Sequence, residues 1–266
     1  MLGAAVREAA VSYTDYERWK STPVGPEVDL SIVIPTYNEE WRIVPTIGAI
    51  ASHVSGLGLA WELIIADDGS TDGRVDVVED LGLVNLRVLR ATANGGKGSA
   101  VRRGVLAAHG RYIVFVDADN SAPIEQVNGL LAKLEREGYD VAIASRISTD
   151  AAGHSRGVLR RAMSGGSRWL VRAFLRIGVK DTQCGFKGYT APAAKRLHAA
   201  QTLDGFSFDL EILFLARKLG YRVAEVPIAF WESPGSKVRP VRDSVRFLRD
   251  IARIGLNNAR GAYAHA

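Results

Sequence analysis

Two carboxylates separated by a single residue, Asp117 and Asp119, follow directly on the apolar run Tyr112–Val116. Aromatic and β-branched residues in such a run predict a strand that is buried on both faces of a sheet. In open α/β sheets, ligands bind outside the carboxyl ends of parallel strands, where two aspartates can hold a divalent metal against a diphosphate. The simpler interpretation is a polar turn in which Asp119 caps a helix that begins near Pro123.

Polar side chains also follow the other predicted strands. They are Tyr37, Asn38 and Glu39 after residues 30–35, Asp67 and Asp68 after residues 61–66, and Lys97 after the weaker strand Leu86–Arg90. Because the carboxyl ends of parallel strands share one edge of a sheet, these side chains are expected to converge with the two aspartates. Asn38 is in addition expected to cap the helix that follows it.

Groups of these kinds suit a nucleotide ligand. A carboxylate accepts a hydrogen bond from a base imide or a ribose hydroxyl, and Lys97 can meet diphosphate oxygens as a point charge. The glycines around Lys97 allow the backbone to approach a ligand closely. The loop has neither the spacing of a P-loop nor a Gly-x-Gly-x-x-Gly sequence, which argues against a dinucleotide cofactor.

The elements that position these residues alternate between strand and helix, which predicts a mostly parallel sheet with helices on both faces. We divide the chain into an arm at 1–28, a nucleotide-binding half at 29–146, a second half at 147–237 and a C-terminal helix at 238–266. In the second half, a loop is expected at residues 147–157 and a basic amphipathic helix at 158–177. The last strand is expected at residues 222–231, with Pro227 favouring an edge position.

Composition restricts the class of protein. The 266 residues carry a net charge of +5 and include a single cysteine, Cys184, so a disulfide framework is excluded. No run of about 18 apolar residues and no signal peptide is present, which predicts a cytoplasmic protein. Basic residues far outnumber acids between Arg146 and Lys180, and such a segment favours an anionic partner. Arginines interleaved with an apolar stripe in the last helix fit a membrane surface or packing against the sheet.

Four segments resemble the family 2 glycosyltransferases with the GT-A (nucleotide-diphospho-sugar transferase) fold. They are Ile32-Val-Ile-Pro-Thr-Tyr-Asn-Glu-Glu40, Asp67-Asp-Gly-Ser-Thr-Asp72, Gly96-Lys-Gly-Ser-Ala-Val-Arg-Arg-Gly104 and Asp117-Ala-Asp119. Three later segments are similar to the branch of dolichyl-phosphate glucosyltransferase and dolichyl-phosphate mannose synthase: Asp181-Thr-Gln-Cys-Gly-Phe-Lys187, Phe206-Ser-Phe-Asp-Leu-Glu211 and Gly235-Ser-Lys237. The chain departs from the pattern at Asn120-Ser-Ala122 and in lacking the membrane helices of many relatives.

The resemblance implies one GT-A domain that uses Mg²⁺ or Mn²⁺, held by Asp117 and Asp119, to bind a UDP- or GDP-linked sugar. The implied nucleotide-sugar contacts are Pro35, Tyr37, Asn38, Glu39, Asp67, Asp68, Lys97, Asp117 and Ala118. The implied acceptor-phosphate contacts are Arg146, Arg160, Arg161, Gln183 and Lys237, and the implied catalytic residues are Asp119, Asp209 and Arg161.

The acceptor decides whether a general base is needed. A hydroxyl acceptor loses a proton as it attacks, so Asp209 or Glu211 would serve as base. A phosphate monoester is already anionic at neutral pH, with a second pKa of about 6, and needs cations instead. The abundant arginines favour a polyprenyl phosphate and an inverting transfer of a hexose from UDP-glucose or GDP-mannose.

Two other functions remain open. An enzyme with the same donor site would glycosylate a small molecule or isomerise the bound sugar, and the lack of membrane helices favours it. A nucleic-acid-binding protein would explain the basic balance, but no helix-turn-helix, aromatic RNA platform or zinc pattern is present. The favoured interpretation is a cytoplasmic enzyme with peripheral contact at the inner membrane face; it leaves open whether the protein is a homodimer.

Overall fold

The structure is a computed structural model, and it describes residues 14–38, 40–119, 121–146, 175, 177–228 and 240–264. Within these ranges the strands are β1 (Leu30–Thr36), β2 (Trp61–Asp67), β3 (Leu86–Arg90), β4 (Tyr112–Val116), β5 (Val141–Ser145), β6 (Phe186–Thr190) and β7 (Val223–Pro227). The helices are α1 (Glu40–Ser55), α2 (Arg74–Asp80), α3 (Lys97–Ala107), α4 (Val127–Glu135), α5 (Ala191–Ala200), α6 (Phe208–Lys218) and α7 (Pro240–Ala259). Residues 14–21 are also helical, and a 3₁₀ turn at Ile124–Gln126 precedes α4.

The strands form one sheet in the order β3-β2-β1-β4-β6-β5-β7. Every residue of β1 and β2 is buried, as expected for strands that helices cover on both faces. The core therefore has two layers. Apolar residues of α3, α5, α6 and α7 pack on one face of the sheet, and those of α1, α2 and α4 pack on the other. The predicted α/β class, with a mostly parallel sheet and helices on both faces, is confirmed.

One strand runs against the others. β6 pairs antiparallel with both β4 and β5, whereas the remaining pairs are parallel. A reversed strand begins at the edge of the sheet where its parallel neighbours end. The start of β6 and the residues before it therefore lie next to the carboxyl end of β4, a placement that the sequence did not predict.

The helix expected to begin near Pro123 starts as a 3₁₀ turn at Ile124, and α4 then runs from Val127 to Glu135. β7 is an edge strand, as Pro227 indicated. The predicted loop at 147–157 and nearly all of the basic helix at 158–177 lie outside the described residues. Within the described part of the chain, no helix combines the length and the apolar character needed to cross a bilayer.

Candidate functional site

The register of the sheet brings three strand ends side by side. Thr36 of β1 is paired with Asp67 of β2, which is paired in turn with Arg90 of β3. On the other side of β1, β4 pairs in parallel through Val33 and Phe115. The loops that follow β1, β2 and β4 therefore leave the sheet along one edge, as expected from the order of the motifs.

At the end of β4, the backbone around the two aspartates is tied down on both sides. The backbone N–H of Asp117 donates to the carbonyl oxygen of Gly185 at 3.0 Å, and the hydroxyl of Thr46 donates to the carbonyl oxygen of Ala118 at 2.7 Å. Asp119 Oδ1 accepts from the backbone N–H of Ser121 at 3.0 Å. Asp119 thus closes a local turn.

The alternative in which Asp119 caps a helix is wrong. The 3₁₀ turn has Pro123 at its cap position and no side-chain cap. The carboxylate of Asp119 is therefore held by its own turn and not by the helix that follows.

Gly185 sets the position of the Asp117 carboxylate. A Cβ atom built on Gly185 would collide with the carboxylate of Asp117, so only glycine leaves this side chain its observed place. Gly185 reaches Asp117 because β6 is antiparallel and begins at this edge. Sequence reasoning did not select Gly185, since the signal is a spatial contact between residues far apart in the chain.

Lys97, the first residue of α3, completes the cluster. Its Nζ lies 2.6 Å from Asp117 Oδ1, and its side chain is 20% exposed against 36% for Asp117. Burial by itself lowers the pKa of Lys97, but nearby carboxylates, first Asp117 and then Asp209, outweigh burial and raise the pKa. The lysine is therefore a fixed positive charge beside the two predicted metal ligands.

Asp68 shapes the glycine loop that leads to Lys97. Its two carboxylate oxygens accept from the backbone N–H groups of Gly95, at 3.1 Å, and Gly96, at 2.7 Å. Gly96 has a φ of 103°, which favours glycine, and a Cβ there would strike the carbonyl oxygen of Asp204. Asp68 therefore fixes the backbone of the loop just before Lys97. Its expected contact with the nucleotide remains a prediction.

Asp67 and Asn38 join the β1 and β2 loops. Asp67 accepts from both the backbone N–H and the hydroxyl of Ser70, and the Ser70 Oγ in turn accepts from the backbone N–H of Asn38 at 3.2 Å. Asn38 Oδ1 accepts from the backbone N–H of Thr71 at 3.1 Å. α1 begins at Glu40, and the Asn38 side chain bridges to the next loop; that Asn38 also caps α1 stays a prediction.

The remaining predicted donor contacts differ in exposure. Pro35 is buried within β1, Ala118 is buried between the two aspartates in the chain, and Tyr37, the residue after β1, is 43% exposed. Glu39 lies outside the described residues. Tyr37 is therefore an accessible aromatic side chain one residue beyond Thr36, which pairs with Asp67 in the sheet.

A second ion pair, between Lys187 and Asp209, is buried near the Lys97–Asp117 pair. Lys187 of β6 is fully buried, and its Nζ donates to Asp209 Oδ1 and to the carbonyl oxygen of Cys184, each at 2.6 Å. The ammonium also lies 5.4 Å from the ring centre of Phe115, the β4 residue paired with it in the sheet. Burial raises the pKa of Asp209, although the charges of Lys187 and then Lys97 oppose that rise. Lys187 therefore anchors the Cys184–Gly185 turn against which Asp117 rests.

This pair bears on the predicted general base. Asp209 is 3% exposed and already bonded to Lys187. The other candidate, Glu211, accepts from the backbone N–H groups of Thr202 and Leu203 and from two hydroxyls, those of Thr202 and Tyr263. Four donors on a fully buried carboxylate make Glu211 a structural residue that ties the 202–203 loop to the C-terminus.

The predicted acceptor arginine is also paired. Arg146 forms a two-pronged ion pair with Asp181, Nε to Oδ2 at 2.7 Å and Nη2 to Oδ1 at 2.8 Å. Burial alone raises the pKa of Asp181, but the Arg146 guanidinium outweighs burial and lowers it. Gln183 is exposed on the same turn, with its backbone N–H 3.4 Å from Asp181 Oδ1. Arg160, Arg161 and Lys237 lie outside the described residues.

The donor set at the end of β4 fits a divalent metal. In the described ranges, no three His, Cys, Asp or Glu side chains form a closed metal cage. Mg²⁺ in nucleotide sites is held by one or two carboxylates, with substrate phosphates and water as its other ligands. Asp117 and Asp119 supply such a pair, and Lys97 Nζ lies 2.6 Å from Oδ1 of Asp117.

Together, the sheet, the aspartate pair and the lysine at its carboxyl edge define the class: the protein is a nucleotide-sugar-dependent glycosyltransferase with a GT-A fold. The family model for glycosyl transferase family 2 matches residues 31–197, and the chain belongs to that family.

Individual relatives and structures agree with this assignment. The chain is 34% identical over 240 residues to a dolichyl-phosphate beta-glucosyltransferase of Dictyostelium discoideum, covering 85% of this chain and 73% of the relative. It is 34% identical over 258 residues to the Saccharomyces cerevisiae enzyme of the same name, covering 89% and 77%. The fold is similar to that of glucosyl-3-phosphoglycerate synthase from Mycobacterium tuberculosis, crystallised with Mn²⁺ and UDP-glucose. That likeness has a TM-score of 0.63 at 22% identity and covers 92% of this chain and 82% of the other.

Proposed function

We propose that the protein transfers glucose from UDP-glucose to a polyprenyl phosphate, with Mg²⁺ or Mn²⁺ bound at Asp117 and Asp119. The observation that carries the proposal is the Lys97–Asp117 pair beside Asp119 at the carboxyl end of β4. Relatives named dolichyl-phosphate beta-glucosyltransferase support the sugar and the acceptor. The neighbouring fold crystallised with Mn²⁺ and UDP-glucose supports the metal and the nucleotide.

The donor side of the reaction follows from the contacts around Lys97. A diphosphate brings negative charge to the amino end of α3, which has no side-chain cap and carries Lys97 as its first residue. A helix amino end and a lysine both stabilise negative charge, which grows on the leaving diphosphate as the sugar bond breaks. A divalent ion, when bound, supplies Lewis-acid stabilisation of the same charge. Tyr37 offers its exposed ring to the base.

The acceptor side favours an anion that needs no base. Asp209, the carboxylate that most affects the pKa of Lys97 after Asp117, is buried and is engaged by Lys187. A phosphate monoester attacks without losing a proton, since its second pKa is about 6. In-line attack by its oxygen on the anomeric carbon inverts that centre, and the nucleoside diphosphate leaves on the opposite side.

The donor is tested by thermal unfolding in the presence of nucleotide sugars. We expect UDP-glucose with Mn²⁺ to raise Tm more than GDP-mannose at the same concentration does, because the ligand with the lower Kd stabilises the folded protein more. At 100 times its Kd a ligand stabilises by about 2.7 kcal/mol. Asp119→Ala should abolish that rise, whereas Asp80→Ala, which alters an exposed carboxylate on α2, should leave it intact.

The acceptor is tested by transfer of labelled glucose to polyprenyl phosphate, unphosphorylated polyprenol and 3-phosphoglycerate. We expect product only with polyprenyl phosphate and none in excess EDTA. Full activity in EDTA would refute the requirement for a divalent metal. Turnover of the nucleotide sugar without any acceptor would favour isomerisation of the bound sugar over its transfer.

A further inference from the structure

Helix α7 has two different long faces. One face is buried in the core layer that also contains α3, α5 and α6, through Ile251 and Ile254, which are 6% and 0% exposed. The opposite face carries exposed apolar residues at intervals of three and four, which is the spacing of one side of a helix. They are Val245, Leu248, Ala252 and Leu256, of which Val245 is 63% exposed.

A row of arginines runs beside this apolar stripe. Arg246, Arg249 and Arg253 are all exposed, and Arg260 follows just after the helix. From residue 245 to the C-terminus the one acid is Asp250, and its side chain is buried. From Val245 on, where the side chains of α7 are described, the exposed face is therefore apolar and cationic apart from the neutral Asn258 near its end.

The loop before α6 extends the same surface. Phe206 is 69% exposed, the most exposed of the large apolar side chains in the described part of the chain. Its neighbour Gly205 lies against Arg246 of α7, since a Cβ on Gly205 would be 3.7 Å from the guanidinium. The loop is fixed to α7 a second time, because Asn257 donates to the hydroxyl of Thr202 at 2.9 Å.

We propose that this docking face, formed by the exposed side of α7 and by Phe206, binds the surface of an anionic lipid membrane. Charge complementarity selects the partner, since a helix with an apolar stripe and a flanking row of arginines lies in the headgroup region of anionic bilayers. The apolar side chains enter the boundary of the acyl chains, and the guanidinium groups pair with lipid phosphates.

The docking face is joined to the donor site by the same loop. The carbonyl oxygens of Leu203 and Asp204 lie against Gly98 and Gly96, on either side of Lys97. The 203–206 segment thus touches the diphosphate-binding loop at one end and presents Phe206 to lipid at the other. A bound membrane would hold this edge of the protein near the headgroups, where a lipid phosphate resides. The docking does not depend on the transfer reaction; only its use in delivering the acceptor rests on the proposed function.

The test is flotation of the full chain with vesicles of phosphatidylcholine alone or of phosphatidylcholine and phosphatidylglycerol in equal parts. We expect binding only to the anionic vesicles. It should weaken steeply between about 0.1 M and 1 M salt, over which the screening length falls from about 10 Å to about 3 Å. Each arginine near an anionic surface contributes roughly a five-fold factor, so Arg249→Glu/Arg253→Glu should lower binding by at least about 25-fold.

Val245→Ser/Leu248→Ser should also reduce binding. Arg136→Glu and Val84→Ser change exposed residues on other elements and should bind as the unaltered protein does. Absence of flotation at low salt, equal binding to neutral vesicles, or unchanged binding by the arginine variant would overturn the proposal. A dimer that the same variants dissociate would also overturn it, because the face would then cover a second copy. UDP-glucose stabilisation reports on the donor site separately, so failure of docking and failure of the proposed function are distinguishable.

Discussion

The buried Lys187–Asp209 pair should dominate the response of this region to mutation. Lys187 is 0% and Asp209 4% exposed at the side chain, and their charged atoms are 2.6 Å apart. Lys187→Met keeps most of the volume but removes the ammonium. The carboxylate of Asp209 then lies in the core without its partner, and the carbonyl oxygen of Cys184 loses its donor.

The magnitude follows from the burial. Breaking a fully buried pair by removing one partner typically costs about 3 to 5 kcal/mol. For a domain of this size, each kcal/mol lowers Tm by about 2 to 4 °C, so the expected fall is roughly 6 to 20 °C. Lys133→Met is the matched control, because it breaks the exposed Lys133–Glu137 pair and should change Tm little.

The free energy of unfolding that Lys187→Met loses should depend on pH with a definite sign. Burial already raises the pKa of Asp209, and loss of the Lys187 charge raises that pKa further. A carboxyl group has a pKa of about 3.9 in the unfolded chain, and one whose pKa is higher in the folded protein stabilises the fold fully when the pH is below about 3.9. The stabilisation is lost as pH rises through the folded pKa. The free energy of unfolding of Lys187→Met should therefore approach that of the unaltered protein in acid and fall away towards neutral pH.

Urea unfolding across this pH range provides the measurement, with Asp209→Asn and Lys187→Met/Asp209→Asn completing a double-mutant cycle. The double variant should regain much of the stability and lose the pH dependence. A loss below 1 kcal/mol in Lys187→Met, or a deficit that does not change with pH, would refute this reasoning. The cycle also separates stability from catalysis, since loss of turnover in Asp209→Asn alone does not identify a general base while Lys187 is left unpaired.

Three further outcomes are expected. Gly185→Ala should weaken the affinity for UDP-glucose in the presence of Mn²⁺ by at least about ten-fold, because the added Cβ displaces the Asp117 carboxylate. Gly178→Ala, where a Cβ has open space, is the control and should bind UDP-glucose normally. Equal binding by the two variants would contradict the role of Gly185. Lys97→Met should lower kcat by roughly 100-fold, the scale of losing one preorganised charged donor, and kcat near that of the unaltered protein would remove Lys97 from the diphosphate site. Tyr263→Phe should cost about 1 to 3 kcal/mol in urea unfolding, because buried Glu211 loses a donor, while Tyr221→Phe serves as the control; a neutral Tyr263→Phe would show that the C-terminus is not held through Glu211.

The local sequence was enough to locate most strands and the edge at which they end. β1, β2 and β4 are short apolar runs, and each stops at a polar or glycine-rich segment that cannot continue a buried strand. Burial of a parallel strand on both faces imposes that pattern, so it can be read one strand at a time. The placement of Asp67 and Asp117 along one edge of the sheet then follows from parallel pairing.

Contacts between distant segments could not be read in the same way. β6 looks like any short strand, and only its pairing with β4 and β5 reveals that it is reversed. That reversal places Gly185 against Asp117 and buries Lys187, a residue type that is almost never fully buried unless it is paired. Asn38 illustrates the same limit, because its contact with Thr71 in the next loop could not be read from the local sequence.

The sequence by itself therefore determined the class of fold, the family and the positions of the two aspartates and the lysine, because strand patterns and motifs depend on neighbouring residues. Only the tertiary structure decided which carboxylates have partners. Asp68 holds a loop, Asp209 balances a buried lysine, Glu211 holds Tyr263 near the C-terminus, and Asp117 pairs with Lys97 at the carboxyl edge of the sheet. The charge state and the contacts of a carboxylate depend on burial and on partners from remote parts of the chain, and folding is what brings those partners together.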